Sequence, residues 1–476
     1  MKRLGIAAFA FASMLAPVGL AGERPNIVWM MLEDWSPDLS CYGTKGIETP
    51  VVDSLAEEGI RYETAWCTAP VCSTSRSAMM TGFHQNYIGA EQHRLYKDEK
   101  QPLPYGIKPL PQLLKEAGYF SVLMNQKKTD CNFADDLGFE KARDWSAREP
   151  GQPFFAQITF GGTHRSWKRD TKDPISEKEI ELPPYYADTP FARRDWANGL
   201  EQMQICDREI GEILQRLEDE GIADKTLVIV IGDNGRCHIR GKQFMYEPGL
   251  RVPLIVRWPG KVEAGQVSDE LVQMIDVTQT ILDAAGVKPD HPLHGRNLFS
   301  NEVKHREYLF AARGRMGLTH DAMRAVRGKR YKLIHNLMPE RAWLQLSAYK
   351  EENYPMLAEM NILHLQGMLN EDQAKFFAPR KPEFELYDLE VDPHELNNLA
   401  DSPEYALIKD ELLSRLYVWR FEIKDEGVSD AFRFGGLPST YPTRSLEEWQ
   451  EVYDKWKPWV FREPGEKAAH PFKKKG

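Results

Sequence analysis

Two pairs of hard oxygen donors stand where apolar runs end. Asn26–Leu32 runs into Glu33-Asp34, and Thr226–Ile231 runs through Gly232 into Asp233-Asn234. Carboxylate and amide oxygens suit Ca2+ or Mg2+ better than a soft metal. A single Asp at a strand end is more often only a turn former. A third segment, Cys72-Ser73-Thr74-Ser75-Arg76, sets a thiol four residues before a guanidinium. Taken alone, that Cys reads either as a buried packing group at a helix start or as a thiolate nucleophile. Arg76, Lys127, Lys128, His164, His238 and Lys242 complete the reactive inventory. Several of them follow predicted strands, so they either converge on one anion or stay on a solvated surface.

The elements that must position these residues alternate. Asn26–Leu32, Tyr119–Met124, Phe154–Phe160, Thr226–Ile231 and Val252–Trp258 read as buried strands. Helices are predicted from Thr49 to Gly59, with Pro50 at the first helical position, from Leu110 to Ala117, and from Ile205 to Glu220. This alternation predicts an α/β fold with a parallel central sheet, in which ligands bind beyond the carboxyl ends of the strands. After about residue 305 the pattern becomes α+β. Ala322–Val326 and Tyr331–His335 suggest a hairpin, Phe384–Leu389 a strand, and Glu404–Phe421 a helix with Leu407, Leu412, Leu413, Leu416 and Trp419 at helical spacing. Residues 337–380 are helical in pattern and resemble an insertion.

Composition narrows the function. With 61 Lys+Arg against 71 Asp+Glu the 476-residue chain carries a formal charge of -10, which disfavours a general nucleic-acid binder. Lys2-Arg3, the apolar run Leu4–Leu20, and small residues Gly19 and Ala21 form a secretory leader pattern over residues 1–21. No later run is long and apolar enough to span a membrane. Export to a periplasmic or extracellular, oxidising compartment allows one or two disulfides among Cys41, Cys67, Cys72, Cys131, Cys206 and Cys237, without assigning them.

Asn26–Asp34, Glu48–Asp53, Cys72–Gly82, Lys127–Asn132, Gly162–His164, Gly232–Gly235, Lys242–Pro259, Glu385–Pro393 and Asn397–Ala400 follow one another in a familiar order. Together they resemble the formylglycine-dependent type I sulfatases of the alkaline-phosphatase-like superfamily, in the bacterial-type, N-sulfoglucosamine sulfohydrolase-like subgroup. The resemblance implies a sandwich with a large mixed, mostly parallel central sheet flanked by helices (catalytic domain, 22–305). A smaller C-terminal α+β domain with an antiparallel sheet would follow (306–476). It implies that Cys72 is oxidised to 3-oxoalanine (formylglycine) by a formylglycine-generating enzyme, and that Arg76 holds the product in place. Glu33, Asp34, Asp233 and Asn234, with the modified Cys72, would bind one Ca2+ ion. Lys128 (or Lys127), His164 and Lys242 would contact the sulfate, with His164 or Lys242 protonating the leaving group.

This sequence departs from the family pattern at three places. Thr74 replaces a Pro or Ala, Glu33 replaces an Asp, and Asp130 stands where a His is common; His238 is an alternative proton acceptor. The resemblance points to a sulfated oligo- or polysaccharide, from a glycosaminoglycan or an algal polymer such as carrageenan or ulvan. His93, Arg94, Arg165, Lys168, Arg236, His238 and Arg240 are candidate sugar or sulfate contacts, and Trp35 and Trp167 candidate stacking platforms. A phosphonate or phosphate ester hydrolase, and an inactive glycan-binding relative, share the scaffold. Nothing in the sequence sets the oligomeric state.

Overall fold

The structure, a computed structural model, describes residues 24–125, 128–300, 305–345, 347–436 and 443–472. The leader, Lys127 and the terminal Lys473–Lys475 lie outside the described residues.

Eight strands build the main sheet: β1 (Asn26–Leu32), β2 (Ile60–Trp66), β3 (Phe120–Met124), β4 (Phe154–Phe160), β5 (Thr226–Gly232), β6 (Arg251–Val252), β7 (Leu254–Arg257) and β8 (Gln266–Gln273). Their order is β3-β4-β1-β5-β7-β2-β6, with β8 also pairing with β2. β3, β4, β1 and β5 run parallel, β7 is antiparallel to β5 and to β2, and β8 is parallel to β2. β4 and β5 are buried at every position, and β1 at all but its first. That is why their sequences are continuous apolar runs without alternation.

Register decides what the sheet delivers. Leu32 pairs with both Phe160 and Gly232. Glu33-Asp34, Asp233-Asn234 and the Gly161–His164 turn therefore leave three neighbouring parallel strands at one edge. Four helices concern the site or its support: α1 (Pro50–Glu57), α2 (Cys72–Thr81), α3 (Leu110–Glu116) and α4 (Pro190–Asp219). α2 is buried along its whole length and is built largely of Ser, Thr and Ala, which let it pack on all sides. Its first residue is Cys72, and Arg76 lies one turn further on the same face.

The second sheet is antiparallel, with β9 (Leu309–Arg313), β10 (Met323–Arg327), β11 (Tyr331–Asn336) and β12 (Phe384–Asp388) in the order β12-β11-β10-β9. Alternation divides it. Met323 and Ala325 join the main core, whereas Val326, Leu333 and Leu386 meet Leu412, Leu416 and Trp419 of helix Ala406–Glu422. Helix Leu446–Val460 turns back onto helix Pro355–Leu365 and α4, burying Trp449 and Trp456.

Several elements differ from expectation. Val252–Trp258 is two short strands separated by Pro253, which cannot donate to a ladder. α4 begins at Pro190, not near Ile205. Its first half buries Arg194, Asp195, Asn198, Glu201 and Gln202 alongside apolar residues, so it shows no polar face. Strands β2, β8 and β9 carry no clear apolar run. Leu407 is 84% exposed and takes no part in the packing of its helix. All six cysteines are free thiols, Cys41 half-buried and the others buried.

Candidate active site

Cys72 opens α2 at the floor of a cavity of ≈ 300 Å³, whose lining includes His93, Arg94, Lys128, His164, Lys242, Gln243, Met316, Ser347 and Tyr349. Burial pushes the Cys72 thiol up to about 12, despite the nearby Lys242 ammonium. Lys242 Nζ lies 3.9 Å from Cys72 Sγ and 2.6 Å from Asp34 Oδ2.

Beneath the thiol, acids and bases interlock. The Asp34 amide donates to Asp233 Oδ1 at 2.8 Å, and Arg76 Nε donates to Asp233 Oδ2 at 2.7 Å. Asn234 Nδ2 donates to Asp34 Oδ1 at 3.0 Å, and Lys128 donates to Glu33. Asp34 occupies the left-handed region (φ 54), a costly conformation for a non-glycine residue that clusters at functional sites. Burial alone would raise its carboxyl, but Lys242 and His164 hold it below the usual carboxylate range. Asp233 moves the other way: burial and the nearby Asp34 and Glu33 raise it against the pull of Arg76.

Whether this set fits a divalent cation is tested by its unsatisfied atoms. Asn234 Oδ1 is buried without a hydrogen-bond partner, while the amide nitrogen of the same side chain donates to buried Asp34. A buried oxygen without a donor costs about 1–3 kcal/mol, and a hard cation would satisfy it. The donor chemistry fits Ca2+ or Mg2+. Arg76 also leaves both terminal nitrogens without a hydrogen-bond partner, so the floor can accept further negative charge.

His164 follows β4. Its Nδ1 lies 2.7 Å from the Arg165 carbonyl, and its Nε2 lies 3.4 Å from Asp34 Oδ2 and 3.0 Å from Tyr349 Oη. On the opposite wall Arg94 donates to Asp130 Oδ2 at 2.9 Å, and Lys128 Nζ lies 3.7 Å from the same oxygen. Burial raises the Asp130 carboxyl, but Lys128, Arg94 and the Cys72 thiol bring it below its ordinary value. Burial and the adjacent Lys242 and Arg94 cations drive His93 down to about 3.

Cys72, Arg76, Lys128, His164, Lys242, Glu33, Asp34, Asp233, Asn234, His93 and Arg94 thus come together. The other predicted contacts do not. Arg165 clasps Asp195 through both terminal nitrogens at 2.7 and 2.8 Å. It borders, with Lys168, a neighbouring cavity of ≈ 650 Å³ that shares His164 with the first. Arg236 pairs with Asp38 at 2.8 Å and lies 3.3 Å from the Trp196 ring centroid. Arg240 donates to the carbonyls of His394 and Glu395. His238 is buried 3.4 Å from Asp195, is driven down to about 3 by burial and the Arg165 cation, and does not line the Cys72 cavity. Trp35 and Trp167 are core residues in edge contact with each other, not open platforms.

Two further residues belong to the site. Tyr349 comes from helix Ala348–Asn353, 185 residues beyond His164, and no local pattern marks it. Cys237 lies 2.7 Å from Asp34 Oδ2. Its place three residues after Asn234 is a signal that could have been used.

Comparison with known proteins shows the family and the fold. The family model described as Sulfatase matches residues 25–147 and 122–287, and that described as N-sulphoglucosamine sulphohydrolase, C-terminal, matches 235–375. An ulvan-active sulfatase of Formosa agariphila is 32% identical over 455 residues, covering 85% of this chain and 76% of its own length. The N-sulphoglucosamine sulphohydrolase of Homo sapiens is 26% identical over 484 residues, covering 88% and 94%. The fold is shared with a solved protein in complex with its substrate D-glucosamine-2-N,6-O-disulfate (TM-score 0.62, 19% identity, 85% of this chain and 99% of that one). The chain belongs to the sulfatase family of sulfuric ester hydrolases, on the alkaline-phosphatase-like fold.

Proposed function

We propose that this protein removes sulfate from a sulfated saccharide in an exported compartment, using residue 72 after its maturation to formylglycine and one Ca2+ ion. The observation that carries the reading is the cavity above Cys72, where Lys128, Lys242, His164 and Arg94 converge over buried Asp34. The ulvan-active and sulfoglucosamine-acting relatives support a saccharide, and the apolar leader supports export. Maturation requires a formylglycine-generating enzyme as a transient partner.

Glu33, Asp34, Asp233 and Asn234 would hold the cation. Bound there, it would neutralise sulfate oxygens and favour an ionised nucleophile, which the hydroxyl of a hydrated aldehyde at residue 72 would supply. Lys128 and Lys242 would face the remaining sulfate oxygens as preorganised positive charge in a site shielded from water. Arg76, locked to Asp233, would keep residue 72 in register. His164 would deliver a proton from Nε2 in its doubly protonated form, with Nδ1 held by the Arg165 carbonyl and Nε2 beside Asp34 and Tyr349. Asp130 stands at the Cys72 thiol with Arg94 and Lys128, and we assign it the proton-accepting role at residue 72.

A panel of defined sulfated oligosaccharides, assayed for released sulfate with Cys72→Ala as control, tests the reading. Wild-type protein is expected to release sulfate from at least one member, and the variant from none. Equal release by Cys72→Ala would overturn it.

A further inference from the structure

Beside the hard-oxygen floor, His164 of the cavity wall meets a softer set of donors buried beneath it. Asp34 Oδ2, His164 Nε2 and Cys237 Sγ lie within 4.8 Å of one another. Cys237 Sγ is 2.7 Å from Asp34 Oδ2, and His164 Nε2 is 3.4 Å from it. We propose that Asp34, His164 and Cys237 form a second metal site, selective for a thiophilic ion of the Zn2+ class, whose occupation blocks turnover.

Mixed sulfur, nitrogen and oxygen donors suit Zn2+, which takes four tetrahedral ligands. Three protein donors leave a fourth position open toward the cavity. The ligand spacing needs only a small outward shift of sulfur, because a Zn–S bond of about 2.3 Å and a Zn–O bond of about 2.0 Å set S···O near 3.5 Å. His164 is already arranged as a metal ligand. Its Nδ1 engages the Arg165 carbonyl, so Nε2 presents its lone pair to the other donors. Tyr349 Oη, 3.0 Å from His164 Nε2 and 3.5 Å from Cys237 Sγ, is placed to contact the ion's remaining position.

Binding replaces the Cys237 S–H bond with a sulfur–metal bond and releases that proton to solvent. It also displaces Lys242, now 2.6 Å from Asp34 Oδ2. The ion would therefore take Asp34, His164 and Lys242 out of use together, and Asp34 cannot serve both sites at once.

Co2+ is titrated into the full-length protein under reducing, metal-free conditions, with near-ultraviolet absorption as readout. A thiolate-to-cobalt charge-transfer band is expected in wild type and in Cys72→Ala, and its loss in Cys237→Ser and Cys237→Ala. A band that persists in both Cys237 variants, or that never forms in wild type, overturns the site. Zn2+ should raise the melting temperature of wild type, and of the Cys237 variants far less, which separates loss of the site from misfolding. Only the inhibition arm rests on the proposed function. There, Zn2+ should inhibit sulfate release in wild type about tenfold or more strongly than in Cys237→Ser, and equal inhibition overturns the blocking role. A protein without sulfatase activity that still shows the cobalt band would sink the proposed function and leave the metal site standing.

Discussion

Two buried ionic clusters lie on either side of His164. Around Asp34, three carboxylates meet Lys242, Arg76 and Lys128, yet Asn234 Oδ1 and both terminal nitrogens of Arg76 find no partner. Behind His164, Arg165 is bound by Asp195 and the Cys237 carbonyl. Arg194 and Arg169 share Glu201 and complete their bonds with Asn198, Ile175 and Arg462. The guanidiniums of this second cluster all find partners, and a satisfied buried network rigidifies a fold. In the first, Asn234 Oδ1 and the Arg76 terminal nitrogens are left over, so it can take an ion and an anion. Residue type does not distinguish the two clusters, because Arg76 and Arg165 are both buried guanidiniums paired with an Asp.

Mutations on the two sides should therefore fail differently. Cys72→Ala should reduce sulfate release by about 10⁴-fold or more with little change in melting temperature, since one buried sulfur is lost. Asp195→Asn should act in the opposite way. It leaves Arg165 buried and uncompensated, costing about 3–5 kcal/mol in denaturant unfolding, while kcat of the folded fraction stays within a few-fold. If Asp195→Asn instead abolished kcat without loss of stability, the division between the clusters would be wrong.

Asp130→Asn should lower kcat by about 10²-fold while KM changes little, and Asp130→His should restore most of the loss. An unchanged kcat would remove Asp130 from the reaction. The smallest effect concerns Asp425, bound by Arg324 and Arg420. Burial would raise its carboxyl, but the two guanidiniums hold it down to about 2. A carboxyl depressed on folding adds stability above its ordinary value, and that stability is lost as pH falls from about 4 toward 2. Asp425→Asn should remove about 2 kcal/mol at neutral pH and flatten the acid limb of the stability curve.

How far these distinctions can be read from sequence depends on burial. β1, β4 and β5 announce themselves because both of their faces are buried, and their ends deliver Asp34, His164 and Asp233 to one edge. β2 alternates half-buried Arg61 and Glu63 with its neighbours, and β8 begins with exposed Gln266 and Val267, so neither stands out. In α4, Glu201 and Arg194 are polar and buried, which erases the amphipathic period that would have marked its first half. The motif residues Arg165, Arg236 and Arg240 look like anion contacts in sequence. Only the three-dimensional positions of Asp195, Asp38 and the 394–395 carbonyls assign them to the scaffold. Tyr349 reaches His164 by tertiary packing alone.

The central claim is that residue 72 acts as formylglycine in the cavity that Lys128, His164 and Lys242 surround. Peptide mass spectrometry of protein made in a host with the maturing enzyme measures it directly. An aldehyde is expected in place of the Cys72 thiol, in a fraction that tracks specific activity across preparations. A fully active preparation that carries only the unmodified thiol at Cys72 would contradict it.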